Sequence, residues 1–320
     1  MSNKKNKRLI LSIGIFVILA VIVTLQITVF NKRSQSNFKE ILNPIDYTTI
    51  DKIEYIMPTA NVPVIITKID NGWKISRNDS TFTADAMHIE NTLKETTKIK
   101  PARIVAVSAD KLEESGFTDD ATIAVKYLSN NKVVAEFLIG GYEFKEIPNA
   151  QPNGNPDYRM FTFIKEPKND IVYSIMGFLR TFFNNDISLL RNKSIYSINH
   201  DDILEVVGIF DDNSNNFSLT RNSDNLWMYN GIVVGDESIK NVDNFLQRLR
   251  SQTGIAFYYE KYNKDICETI TVKGNNFSPI TLNFYPIEGT EDYVYECNLY
   301  TEGVFYDKNG VQRGRLMLKL

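Results

Sequence analysis

The sequence predicts an α+β protein in which an N-terminal transmembrane helix precedes two tandem repeats of a mainly antiparallel β-sheet domain, each repeat carrying one packed helix. Three observations predict this. Leu9 to Phe30 is an apolar run without a charged residue. Residues 50–190 and 200–320 carry colinear matching motifs. Each half also holds alternating segments joined by Asn- and Gly-bearing turns, which is the pattern of hairpins.

The apolar run has 22 residues, and at about 1.5 Å per residue it matches the roughly 30 Å hydrocarbon core of a bilayer. A cleavable signal peptide would have a shorter apolar region, about 7 to 15 residues, ending in a small-x-small site. Thr24, Gln26, Thr28 and Val29 offer no such exit, so a retained anchor is expected. Lys4, Lys5, Lys7 and Arg8 precede the run and Lys32 and Arg33 follow it. The positive-inside tendency then leaves the N-terminus in the cytoplasm and the soluble mass outside it. The expected organisation is a cytoplasmic tail at 1–8, the anchor at 9–30, a linker at 31–45, repeat one at 46–197 and repeat two at 198–320. The localisation this implies is a bacterial cell membrane crossed once, with the bilayer contacted through residues 9–30.

The repeats are read element by element at an offset near 150. Asp70-Asn71-Gly72-Trp73 answers to Asp224-Asn225-Leu226-Trp227, each a turn followed by the one Trp of its half. Trp73 and Trp227 are expected to anchor the two cores, the alternative being ligand-stacking platforms. Ala84-Asp85 opens a helical pattern with Ile89, Leu93 and Thr96, and Gly235-Asp236 opens one with Ile239, Val242, Phe245, Leu246 and Leu249. Strand-like runs follow at Arg103 to Val107 and Ile255 to Tyr259. The clearest match is Thr122-Ile123-Ala124-Val125-Lys126 against Thr269-Ile270-Thr271-Val272-Lys273. Polar turns and returning strands come next, Val133 to Ile139 and Ile280 to Tyr285, then Tyr158 to Ile164 and Ile171 to Ile175, echoed by Tyr293 to Tyr300 and Val304 to Tyr306. Each repeat thus reads as three strands, a helix and four or more strands, with connections too short for parallel crossovers. A second helix is expected near Met176 to Phe183, with Phe178, Leu179, Phe182 and Phe183 as a stripe facing repeat two. The loop Glu146 to Asp157, present only in repeat one, is expected to be mobile.

Composition narrows the function. Lys and Arg number 36 against 39 Asp and Glu, a net charge of −3, which is no basis for holding a nucleic acid. With two His and two Cys in the whole chain, no zinc cluster is expected. Cys267 and Cys297 are candidates for a disulfide in an exported domain. No Gly-x-Ser-x-Gly elbow occurs. The pairs Asp119-Asp120, Asp201-Asp202 and Asp211-Asp212 fall at predicted turns, where Asp bonds the local backbone. The Asp211 run lacks the Gly and Glu of a calcium loop, and Gly140-Gly141 is read as a hairpin exit. His88 is expected to be solvated and His200 to lie in the link between repeats. The tyrosines at 258, 259, 262, 293, 295 and 300 are read as sheet composition, with an exposed aromatic binding face as the alternative. No catalytic residue, cofactor or metal ligand is assigned. Tyr158 and Arg159 are the candidate partner contact, because both residue types favour interface hot spots and the pair occurs in repeat one only.

The turn with Trp73, Ala102-Arg103-Ile104-Val105, Glu114-Ser115-Gly116-Phe117, Leu138-Ile139-Gly140, Tyr158-Arg159, Val172-Tyr173-Ser174-Ile175 and Leu190-Arg191-Asn192-Lys193 together resemble the DUF4340 family, bacterial membrane-anchored proteins of uncharacterised function. The resemblance covers most of residues 50–200 and returns faintly towards the C-terminus. It departs at Phe117, where a Leu is usual, and at Tyr293-Val294, where repeat two lacks the Tyr-Arg pair. It implies a companion of an ABC-type transport system and attaches no catalytic activity. The resulting expectation is a non-enzymatic, membrane-anchored, extracytoplasmic binding or scaffold protein, accessory to an ABC-type transport or cell-envelope system through a membrane protein partner such as a transporter subunit. The alternatives are an envelope hydrolase with carboxylates assembled in the fold, or a regulator of a membrane kinase.

Overall fold

The computed structural model describes residues 45–320 apart from 59, 148–156 and 266. The expected tail, the anchor at 9–30 and all but the last residue of the linker lie outside the described residues, as does most of the Glu146–Asp157 loop. Among the described residues no helix is long and apolar enough to cross a membrane. The chain divides into two units, the first ending at Leu190 and the second running from Arg191 to Leu320.

The first unit contains β1 (Lys52–Ile56), β2 (Val64–Ile69), β3 (Gly72–Arg77), β4 (Ser80–Thr83), α1 (Ala86–Thr96), β5 (Pro101–Ala106), β6 (Ile123–Ser129), β7 (Lys132–Ile147), β8 (Asp157–Lys165) and β9 (Val172–Met176). Its strands form one nine-stranded antiparallel sheet in the order β4-β3-β2-β1-β6-β7-β8-β9-β5. Two meanders meet at the β1·β6 pair, and the chain crosses by α1 to lay β5 on the far edge. Asp85 starts α1 by accepting the His88 N–H at 3.1 Å, a side-chain cap that satisfies one of the helix's free donors. Ile89 and Leu93 then face the sheet, buried with Ile53, Ile75, Val125 and Ile139.

The second unit contains β10 (Ser194–Ser197), β11 (Ile203–Ile209), β12 (Phe217–Arg221), β13 (Trp227–Tyr229), β14 (Ile232–Val233), α2 (Asp236–Leu249), β15 (Ser251–Thr253), β16 (Ala256–Tyr258), β17 (Glu268–Gly274), β18 (Ile280–Pro286), β19 (Tyr293–Cys297), β20 (Tyr300–Asp307) and the short α3 (Val311–Arg315). Its large sheet has the order β14-β13-β12-β11-β17-β18-β19-β20-β16, which is the order of the first sheet, strand for strand. The Thr122 and Thr269 segments occupy β6 and β17, with Ile123 opposite Ile139 and Ile270 opposite Leu282. Asn130 and Asn131 both have positive φ in the β6–β7 turn, as a two-residue hairpin with the twist of its strands requires. Trp73 is 2% exposed and Trp227 6%, each within its own unit's core.

Several expectations need correction. Four strands of each large sheet precede its long helix rather than three, the fourth being only two to four residues long, and in the second unit β10 precedes them as well. Met176 to Phe183 is not a helix. Met176 ends β9, Gly177 turns the chain at φ 111°, and a single 3-10 turn follows at Leu179–Phe182. Leu179 and Phe183 are buried in the first unit's own core instead of facing repeat two. Tyr293 to Tyr300 is a hairpin, with Cys297 opposite Tyr300 across Asn298-Leu299. The unit boundary falls after Leu190 rather than 197, because β10 pairs with β15.

Candidate functional site: a two-sided ribbon in the first unit

Strands β7 and β8 have 16 and 9 residues, whereas their counterparts β18 and β19 have 7 and 5. The surplus forms a ribbon beyond the core. Its register pairs Tyr142 with Thr162, Phe144 with Met160, Lys145 with Arg159 and Glu146 with Tyr158. Since side chains alternate along a strand and paired residues share a face, Tyr142, Phe144, Tyr158 and Met160 line one face, with Glu146 beside Tyr158 at its end. Lys145 and Arg159 line the other with Glu143. Tyr142 is 50% exposed, Phe144 60% and Tyr158 62%, and Tyr142 meets Phe144 and Phe178 edge to face at 5.8 and 5.2 Å.

On the opposite face, Glu143 pairs with Arg103 and lies 4.0 Å from Lys145 Nζ. Arg159 Nη1 sits 3.9 Å from Met176 Sδ. Lys145 and Arg159 face each other across the ladder, an arrangement of like charges that weakens a strand pair. Arg103, Glu143, Lys145 and Arg159 therefore share this face, behind an aromatic one.

The base of the ribbon is a fixed joint. Gly140 and Gly141 form a bulge, with the register shifting between Ile139 and Tyr142, and bulges twist and re-aim a strand. The loop after β5 lies directly on them. Gly141 N–H donates to Ser115 O at 2.8 Å, and a Cβ on Gly116 would stand 2.6 Å from Gly141 N. Arg180 donates to Gly140 O at 2.9 Å and Ala121 O at 2.7 Å. Thr162, fully buried, donates to Gly177 O at 2.6 Å and accepts the Leu179 N–H. The motifs Glu114 to Phe117, Leu138 to Gly140 and Tyr158-Arg159 thus converge on one joint and its ribbon. Gly140-Gly141 lies inside the strand and is not the hairpin exit that the sequence predicts.

The remaining candidates are dispersed. Cys267 and Cys297 are free. Strand β18 lies between their strands, so two ladder spacings alone separate them by at least about 9.5 Å, beyond the roughly 7 Å that a disulfide spans. The disulfide expectation is corrected accordingly. Asp120 accepts from Thr118, Asp212 caps the turn at Asn213–Asn215, and Asp201-Asp202 sit in the turn at His200–Asp202. His200 Nε2 lies 3.2 Å from Asp201, a partner the sequence did not name. His88 is half-buried, with Nε2 fully enclosed, and so is not solvated as expected. Among the described residues no group of three His, Cys, Asp or Glu is placed to hold a metal ion. Sequence reasoning found Tyr158 and Arg159 but missed Tyr142 and Phe144. Their alternation in Tyr142-Glu143-Phe144-Lys145 was the available signal.

The family model described as a domain of unknown function, DUF4340, matches residues 73–263. The match begins at the Trp73 strand and runs through the first unit, including the ribbon and its joint, to the connection after β16, farther into the second unit than the quoted motifs reach. No curated protein and no solved structure matches the chain. The chain belongs to the DUF4340 family.

Proposed function

We propose that the protein is a non-enzymatic contact protein. It is held at a bacterial cell membrane by residues 9–30 with both units outside the cytoplasm, as an accessory to an ABC-type transport or cell-envelope system. Its partner is a membrane protein with an apolar docking surface. The observation that carries this reading is the two-sided ribbon, with exposed aromatic rings on one face and facing cations on the other. The repeat that lacks the extension keeps the same strand order, so the fold does not require it. Aromatic and Arg residues supply most interface energy. Tethering to the same bilayer raises the effective concentration, so a modest interface suffices.

The test is copurification of the full chain from membranes solubilised in detergent, with the captured membrane protein identified by mass spectrometry. Phe144→Ala with Tyr158→Ala should reduce its recovery by about tenfold or more, and Arg159→Ala should reduce it in a salt-dependent way. Neither should move the melting temperature appreciably, since these side chains are mostly exposed. Undiminished recovery in the double variant sinks the ribbon assignment. Hydrolytic turnover by the purified protein sinks the non-enzymatic one.

A further inference from the structure

The second unit elaborates the same topological position differently. Its connection from β16 to β17 folds over the outer face of the sheet and meets the β18–β19 turn, enclosing a cleft of about 640 Å³. Tyr258, Lys261, Tyr262, Asn263, Glu288 and Thr290 line it. This volume is within the range of ligand sites, roughly 300 to 1,000 Å³.

The aromatic wall is held from behind. Tyr258 stacks on Tyr306 at 6.0 Å with an interplanar angle of 18° and meets Tyr262 edge-on at 6.1 Å. Tyr262 packs on Tyr285 at 5.3 Å and its hydroxyl donates to Glu296 at 3.3 Å. Glu296 also accepts from Tyr285 at 2.6 Å and Lys264 at 3.1 Å. Burial pushes the Glu296 carboxyl up, but the bonds from Tyr285, Lys264 and Asn283 outweigh it and hold the group below the usual carboxylate range. Its acceptor role is therefore fixed at neutral pH.

The first unit shows that the fold needs none of this. There the matching connection presses Leu112 and Phe117 onto Ala106, Phe163 and Val172 in a small apolar cluster. A polar, tyrosine-rich network in only one of two units with the same strand order marks a site rather than a structural requirement. Rigid rings lose little freedom on binding, which favours a ligand that stacks. Lys261 and Glu288 balance each other, so the cleft selects no ion. The Asn263 amide N–H groups and the phenol oxygens offer donors and acceptors around ring faces, while Asn263 Oδ1 accepts the Asp265 N–H and the Thr290 hydroxyl is held between Ile287 O and the Asp292 N–H. A pyranose presents the complement, with C–H groups on its flat face and hydroxyls at its edge.

We propose that this cleft binds a neutral saccharide, stacked against Tyr258 and Tyr262 and hydrogen-bonded through the Asn263 side-chain amide. The inference is independent of the ribbon. It is tested by calorimetric titration of the full chain, in a detergent without a sugar headgroup, with chitotriose and with maltotriose. A saturable response to at least one trisaccharide is expected. Tyr258→Ala and Asn263→Ala should each weaken it, the former by about tenfold or more, while Tyr262→Phe, which keeps the ring, should stay within about threefold. Tyr158→Ala on the ribbon should leave it unchanged. If Tyr258→Ala unfolds, the exposed Asn263→Ala decides. No response to either trisaccharide overturns the proposal, as does an undiminished response in Asn263→Ala or tighter binding of inorganic phosphate.

Discussion

Trp73 and Trp227 occupy equivalent strands in like surroundings. The Trp227 carbonyl accepts the Val234 N–H at 2.8 Å as the Trp73 carbonyl accepts that of Ala84, and Lys68 lies over the Trp73 ring at 5.7 Å. Trp73 is enclosed in the first core, with its backbone carbonyl accepting the Ala84 N–H at 2.8 Å where the chain enters α1. Its indole Nε1 is buried and has no hydrogen-bond partner among the described residues. Trp227 carries the Arg221 guanidinium over its ring at 4.7 Å. Replacing Trp73 by Ala leaves a large cavity and should cost about 3 to 5 kcal/mol. Trp73→Phe should cost clearly less, because it also removes an enclosed donor that gains nothing from burial. Urea unfolding of the three proteins checks this. An equal loss in the Ala and Phe variants would show that the indole itself, rather than filled volume, is what the core requires.

At the scale of elements, the joint under the ribbon depends on backbone meeting backbone. Gly116 has φ 73° and no room for a Cβ against Gly141, so Gly116→Ala is strained twice, by conformation and by contact. A loss of about 1 to 3 kcal/mol is expected. The loop should also lift from β7 and loosen the ribbon, so amide exchange at Tyr142 and Phe144 should accelerate more than exchange in β1. Uniform acceleration would mean that the joint does not act locally. The sequence motif marked this place, but its meaning was hidden, since nothing local in Leu138-Ile139-Gly140 reveals which loop will lie on it. What was legible was periodic. The Thr122 and Thr269 segments show two-residue alternation beside Asn turns, and α1 and α2 show helical spacing. What was illegible depended on tertiary context or on one residue. Gly177 stops a stripe that otherwise reads as a helix, Asn298 folds one apparent strand into two, and β10, with Ile195 and Tyr196 side by side, pairs with the polar β15 without any alternation to mark either. The ribbon was half-legible, through Tyr158-Arg159. The cleft in the second unit needed the fold, because Tyr262 and Glu296 are 34 residues apart.

Across the whole molecule, large tyrosines fill both cores, and this sets the alkaline limit of stability. Burial raises the phenols of Tyr55 and Tyr127 in the first unit and of Tyr196, Tyr285 and Tyr295 in the second well above their ordinary value of 10.0. Tyr55 also donates to Asn184 O at 2.7 Å, and Tyr127 shares a 2.6 Å hydrogen bond with Thr96. The sign follows from the raised folded-state value. Below about pH 10 the phenols are neutral in folded and unfolded chains alike, and their burial contributes in full. Above it the unfolded chain releases protons that the folded chain retains, so stability falls as pH rises, by about 1.4 kcal/mol per pH unit for each such tyrosine. Because each unit has its own core, both should lose stability in this window, the second more steeply with three such phenols. Urea unfolding from pH 9 to 12 checks this, read in the first unit through Trp73 fluorescence with Trp227 replaced by Phe. Tyr127→Phe should lower that unit's stability at pH 8 through loss of the Thr96 bond, yet flatten its decline above pH 10 by about one proton. A decline equally steep in the variant would show that Tyr127 ionises in the folded state as readily as in water, contrary to its place in the core.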